Sequence, residues 1–335
     1  MVRGAIGAGT IGLAAVAVIS LVLALSGPMA TTAVALMAFG VLHNVLELRY
    51  IGGRYVTVVS STLIGLLVAL ATGIVLTRIL GVFLGGGAAI RAEIVLTYAI
   101  IAAAAWFGLR RYPLLLTVSA VILTVAAGAS LLWPAYHVVV ITHLHNLIPL
   151  AFLWEFSRMM PDRARRAFRS VQVGWVLVIP ALLLAGVFDS LVGKGTAAVR
   201  LFNSSPAVIA AGVTPPGTDG TTIGARFIAV FAFMQLLHFV VWIWYLPRFA
   251  PSTTAAFERR VPWLRGWRTW AVGLGAAATL GLLFVVDYQQ GRTVYSALAT
   301  YHAYLELPVL LIMFVGAGSM LGTRGQSSGD LGPRR

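Results

Sequence analysis

MATTAVALMAFGVLHNVLEL, residues 29–48, decides what kind of protein this is. The stretch has no basic residue, one acid (Glu47) and one histidine (His43). At 1.5 Å per residue, about 20 apolar residues cross the roughly 30 Å hydrocarbon core of a bilayer as a helix. In water such a run would have to be buried on every side. The rest of the chain offers no polar layer to cover it, because 59% of the 335 residues are hydrophobic and only 10% are charged. Soluble domains carry about 25% charged residues.

Working outward, comparable runs recur at roughly 5–26, 55–83, 92–109, 113–133, 136–157, 171–190, 223–246, 269–287 and 293–319. The expectation is an all-α, polytopic membrane protein of about ten transmembrane helices. Arg78, Arg91 and Glu93 blur the ends of the third and fourth. Residues 1–321 read as one transmembrane domain, with a long 191–222 connection rich in Gly, Ser, Thr and Pro and a disordered tail at 322–335. Loops as long as that connection are lids, re-entrant pieces or flexible links.

The net charge of +14 suggests nucleic acid at first sight. Its distribution argues against that. Arg158, Arg163, Arg165, Arg166 and Arg169 share one connection, and Arg248, Arg259, Arg260, Arg265 and Arg268 another. Placing both in the cytoplasm puts Arg3, Arg49, Arg54, Arg110, Arg111, Arg324, Arg334 and Arg335 on the same side. Both termini are then cytoplasmic. The charge follows the positive-inside rule, the partners are the bilayer and its anionic headgroups, and no nucleic acid is expected. The composition fits an integral protein of a bacterial plasma membrane. Oligomeric state is not readable.

There is no cysteine. Thiolate zinc, iron–sulfur clusters, c-type haem and disulfides are excluded together. Any metal must be held by His, Glu, Asp or water, which suits iron, zinc, copper or manganese.

Five of the six histidines lie inside the apolar runs: His43, His143, His145, His238 and His302. Ionisable groups at membrane depth are costly and mark functional sites by default. They fall on the second, sixth, eighth and tenth runs, which all cross in one direction. Counting 1.5 Å per residue from the outer boundaries puts them in one band of roughly 10 Å near the middle of the bilayer. His137, beside Tyr136, reads as an interfacial residue, and most tryptophans, Trp242 among them, read as an aromatic belt near helix ends. His43/Glu47 and His302/Glu306 are each four apart, which places acid and imidazole on one helix face. Glu306 is well inside its run and needs a partner, a proton or a metal. Glu47 reads equally as a surface ion pair. His143 and His145 are two apart, about 200° around a helix, so one is a ligand and the other a supporting group. Pro149 frees the His145 carbonyl and can distort the helix there. Asn44 and Asn146, each following a histidine, read as supporting hydrogen-bond groups or as polar contacts between helices. The candidate site is thus His43, His143, His145, His238 and His302 as metal ligands, with Glu306 and Glu47 as the catalytic acids.

Leu42-His-Asn-Val-Leu-Glu47 and Tyr301-His-Ala-Tyr-Leu-Glu306, on His-bearing transmembrane segments, resemble the Brp/Blh family of membrane β-carotene dioxygenases. The acids here are Glu, and the paired histidines are His-x-His. The resemblance implies non-haem iron and the O₂-dependent oxygenation of a lipophilic, isoprenoid- or carotenoid-like substrate. Two other functions fit the same residues. One is a b-type haem protein with histidine pairs from facing helices. The other is a proton-coupled transporter with a His/Glu relay.

Overall fold

The computed structural model describes residues 2–54, 60–84, 86–193, 202 and 204–324. Among these every regular element is helical and none is a strand. The chain runs α1 (Val2–Ser26), α2 (Pro28–Arg54), α3 (Ser61–Leu84), α4 (Gly86–Leu109), α5 (Pro113–Leu132), α6 (Pro134–His145), α7 (Ile148–Ser157), α8 (Asp162–Val173) and α9 (Ile179–Leu184). It continues through α10 (Pro206–Ala210), α11 (Thr222–Val240), α12 (Leu246–Phe249), α13 (Pro251–Arg260), α14 (Trp267–Val286) and α15 (Tyr288–Arg324). Proline opens α2, α5, α6, α10 and α13, where its missing N–H is no loss and its fixed φ suits a first turn. Asp287 opens α15, its carboxylate accepting from the Gln290 N–H at 2.9 Å.

Nine segments of the described residues are long and apolar enough to cross a membrane: Gly7–Ser26, Pro28–Arg54, Ser61–Gly81, Gly86–Leu109, Pro113–Leu132, Pro134–Ser157, Asp162–Leu184, Thr222–Phe249 and Trp267–Val286. These match nine of the ten expected runs. The tenth lies in α15, which is helical through its described length.

Several boundaries differ from expectation. Residues 55–59, where the third helix was expected to begin, lie outside the described residues, as do 194–201, 203 and 325–335; the last holds nearly all of the expected tail, and α15 itself runs on to Arg324. The arginine-rich 158–169 connection is mostly helix, because Asp162 at its first position favours the helix N-terminus and the arginines are good helix formers. The sixth run is broken between His145 and Ile148. Two π-helical turns, Gly174–Val178 and Val241–Tyr245, each end two residues before a proline, Pro180 and Pro247. Proline cannot donate to the carbonyl four residues back and crowds it, and a wider turn relieves both.

Contacts group the chain into two compact units. The first comprises Met1–Thr57 and Trp133–His302. In it α2 packs against α11, α13 and α14. Two glycines allow close approach: a Cβ at Gly53 would sit 2.2 Å from the Thr253 carbonyl oxygen, and one at Gly40 would sit 2.7 Å from the Tyr295 ring. Arg49 of α2 pairs with Glu258 of α13, and the Arg54–Glu155 pair is 3.0 Å. The described part of the 191–222 connection packs into the core of this unit rather than lying free. Phe202, Ile209 and Val213 are buried with Val41, Leu42 and Phe231.

The second unit comprises Val58–Leu132 and Ala303–Arg335. α3 and α4 form a hairpin, and the charges that interrupted their apolar pattern meet across it. Arg78 binds Glu93 through two nitrogens, at 2.9 and 2.5 Å, and the Tyr304 hydroxyl donates to the same carboxylate at 2.7 Å. None of α5 is buried. Its Leu114, Val121, Ile122 and Val125 are exposed, as lipid-facing side chains are.

Candidate metal centre

Four of the five intramembrane histidines converge within the first unit. His43, His145, His238 and His302 each offer a ring nitrogen, and these four nitrogens all lie within 4.8 Å of one another. They come from α2, α6, α11 and α15. The His302 Nε2 is 3.2 Å from the His43 Nε2 and 3.2 Å from the His145 Nε2. His238 completes the set, its ring centroid 5.1 Å from His43 and 4.5 Å from His145.

The protons decide what such a cluster can hold. The Phe39 carbonyl, one turn back on α2, lies 3.0 Å from the His43 Nδ1. That ring nitrogen must therefore be the donor, and the Nε2 presents a lone pair. The His302 Nε2 carries at most one proton, yet it faces two ring nitrogens at hydrogen-bond distance. A single N–H cannot serve both. A cation can serve every lone pair at once. Two imidazole nitrogens, each about 2.1 Å from one ion and separated by a tetrahedral or octahedral angle, lie about 3.0–3.4 Å apart, and the observed 3.2 Å falls in that interval. A ligand histidine held by a backbone carbonyl through its other nitrogen is the usual arrangement at metal sites. The residues therefore fit a transition-metal ion.

Local backbone chemistry explains why His145 and not His143 takes part. Pro149 has no N–H for the His145 carbonyl, so the helix breaks at Asn146–Leu147, with Leu147 and Leu150 bonding three residues back instead of four. The freed His145 carbonyl neighbours the His238 ring. His143 turns the other way, and its Nε2 donates to the Val213 carbonyl at 2.9 Å, between Phe227 and Phe231. It is not a member of the nitrogen cluster. Instead it fastens the 204–222 segment, together with Arg292, which donates to the carbonyls of Val208 and Ala211. In the sequence Arg292 is marked only by its place just before the 293–319 apolar run.

Glu47 is fully buried rather than at the surface. Nearby Arg49 pairs with Glu258 instead, and a Glu47 oxygen lies within 4.8 Å of a His238 nitrogen. Glu306 sits one turn beyond His302 on α15 and is also fully buried. His137 and Trp242, expected at the membrane edge, are buried, and the Trp242 ring is 6.5 Å from that of His238. Phe239 packs on His43 at 4.3 Å between centroids. The centre is thus walled by aromatic side chains, with a carboxylate beside it. Three of the four histidines are buried, and His145 is partly exposed.

No protein-family model, curated protein or solved structure matches the chain.

Proposed function

We propose that this protein is a membrane-embedded, non-haem metal enzyme. Its ion, iron by preference and zinc or copper otherwise, would be held by His43, His145, His238 and His302, and it would oxygenate a lipophilic substrate with O₂. The observation that carries this reading is the set of four imidazole nitrogens within 4.8 Å of one another. Neutral imidazoles suit iron, copper and zinc, and bound iron would supply the O₂ chemistry. The carboxylate of Glu47 would hold the His238 ring in one tautomer and offset the charge of the ion. Glu306, on the His302 face of α15, would be a further ligand or a proton acceptor. Aromatic walls would enclose the reacting centre, and a surrounding bilayer would deliver an isoprenoid-like or other lipid substrate. The resemblance of the two His-x-x-x-Glu segments to the carotenoid-cleaving family points to the same class of reaction.

In this reading both termini and the arginine-rich connections face the cytoplasm of a bacterial plasma membrane. The haem alternative fits the distances less well. Two axial imidazoles on opposite faces of a haem would stand about 4 Å apart at metal–nitrogen distances of about 2.1 Å, with the macrocycle between them. His43 and His302, and His302 and His145, are in direct contact instead. A visible spectrum of protein expressed with ample haem and iron tests this: no Soret band and a stoichiometric metal are expected. A Soret band would favour haem, and metal-free protein that moves solute in proteoliposomes would favour the His/Glu relay transporter.

A further inference from the structure

A second group of buried polar atoms lies apart from the four imidazole nitrogens, in the same unit. Gln172 of α8 is fully buried, and neither atom of its amide has a hydrogen-bond partner among the described residues. The same holds for the indole N–H of Trp175, the indole N–H of Trp242 and the Oε1 of Gln235. Buried polar groups are almost always satisfied by protein or by ordered water, so these atoms together require a partner.

Their positions can be fixed by register. α8, its π turn and α9 run antiparallel to α11 and its π turn. Phe168 stacks on Tyr245 at 5.5 Å. At the other end, Arg226 binds Asp189 at 2.9 Å and the Leu184 carbonyl at 3.1 Å. Counting residues between these two anchor points brings Gln172 level with Val241 and Trp242, and Trp175 level with His238. Gln235 lies one turn farther along the same seam. Both π turns occur here, and π turns widen a helix locally. At the near end Arg169, one turn before Gln172, is partly exposed and donates to the Ser157 hydroxyl at 2.8 Å.

We propose that this seam holds a short file of ordered water leading from the arginine end of α8 to His238. The unpaired set contains donors, the two indoles and the Gln172 amide N–H, and acceptors, the two amide oxygens. Water satisfies both kinds, with about three hydrogen bonds per molecule. An anion would satisfy only the donors, and an apolar chain would satisfy none. Arg169 to Trp175 spans about 9 Å of helix, enough for about three waters at hydrogen-bond spacing. The hydration stands on its own. Its use, carrying protons to the histidine centre, rests on the metal reading above.

Microsecond radiolytic hydroxyl-radical labelling of the full chain in detergent, read by mass spectrometry, tests the proposal because radicals form from water at the side chain. Trp175 and Trp242 are expected to oxidise at least ten-fold faster than Phe233 and Phe284, which are equally buried. Gln172→Leu is expected to slow labelling of both tryptophans several-fold. If that variant does not fold, Trp175→Phe read at Trp242 serves instead. Labelling of both tryptophans no faster than the two phenylalanines, or unaffected by these substitutions, would overturn the proposal. Metal content measured on the same sample is a separate readout. Labelled tryptophans in protein that binds no metal would leave the seam standing and remove the metal reading.

Discussion

His143 and His145 differ by two positions and have separate roles. Geometry on the helix made it plain that they could not share one target, and the spacing alone did not say which faces inward. The break at Asn146–Leu147 sends His145 to the centre and leaves His143 on the Val213 carbonyl. His145→Ala is expected to lose bound metal, whereas His143→Ala is expected to keep it and to become more sensitive to protease within 204–222. Elemental analysis and limited proteolysis on the two variants separate the roles. The convergence of His43, His145, His238 and His302 was legible from apolar runs and a shared depth. The burial of Glu47 was not, because a glutamate near a helix end beside basic residues reads equally as a surface ion pair, and the partner of nearby Arg49, Glu258, lies more than two hundred residues away. Trp242 was misplaced for a related reason. Position near a helix end suggests a belt residue, but the helical segment runs on to Phe249 and the Trp242 ring packs inward on Tyr50 and Phe152.

At the scale of elements, proline sets the geometry of the site. Pro149→Ala restores an N–H for the His145 carbonyl and is expected to mend α6 and α7 into one helix. The His145 ring would then turn away, and metal affinity should fall by about 10–100-fold, as for loss of other groups that orient ligands. Isothermal titration of the apo-protein with metal measures this. Helix packing makes a second prediction. Gly53 sits against the Thr253 backbone, which cannot move aside as a side chain can. Gly53→Val is expected to destabilise the α2–α13 contact by about 1–3 kcal/mol, read as a lower Tm in detergent. The Arg78–Glu93–Tyr304 network makes a third. Removing one partner of a buried pair costs about 3–5 kcal/mol, while replacing both with apolar residues is close to neutral. Glu93→Leu should therefore be strongly destabilising, and Arg78→Leu with Glu93→Leu should recover most of the loss. In the sequence these charges only obscured two helix ends; opposite signs on either side of a run of three glycines at 85–87, between two apolar runs, were the available signal.

For the whole molecule, composition and run length were enough to read an all-helical, membrane-type chain, since about 20 apolar residues in series have few other uses. What they could not supply is how helices far apart in sequence meet, because apolar helices in a bilayer are similar on every face and packing is set by small residues and a few polar contacts. Here those contacts are specific: Gly40 and Gly53 for close approach, Arg292 and His143 on backbone carbonyls, and four imidazoles facing one another. The last is the central claim, that the cluster is a metal centre. Elemental analysis of detergent-purified protein, expressed with ample iron, zinc and copper, tests it most directly. About one transition-metal ion per chain is expected in the wild-type protein, none in His302→Ala, and an unchanged amount in His143→Ala. Wild-type protein free of metal, or His302→Ala with its metal intact, would contradict it.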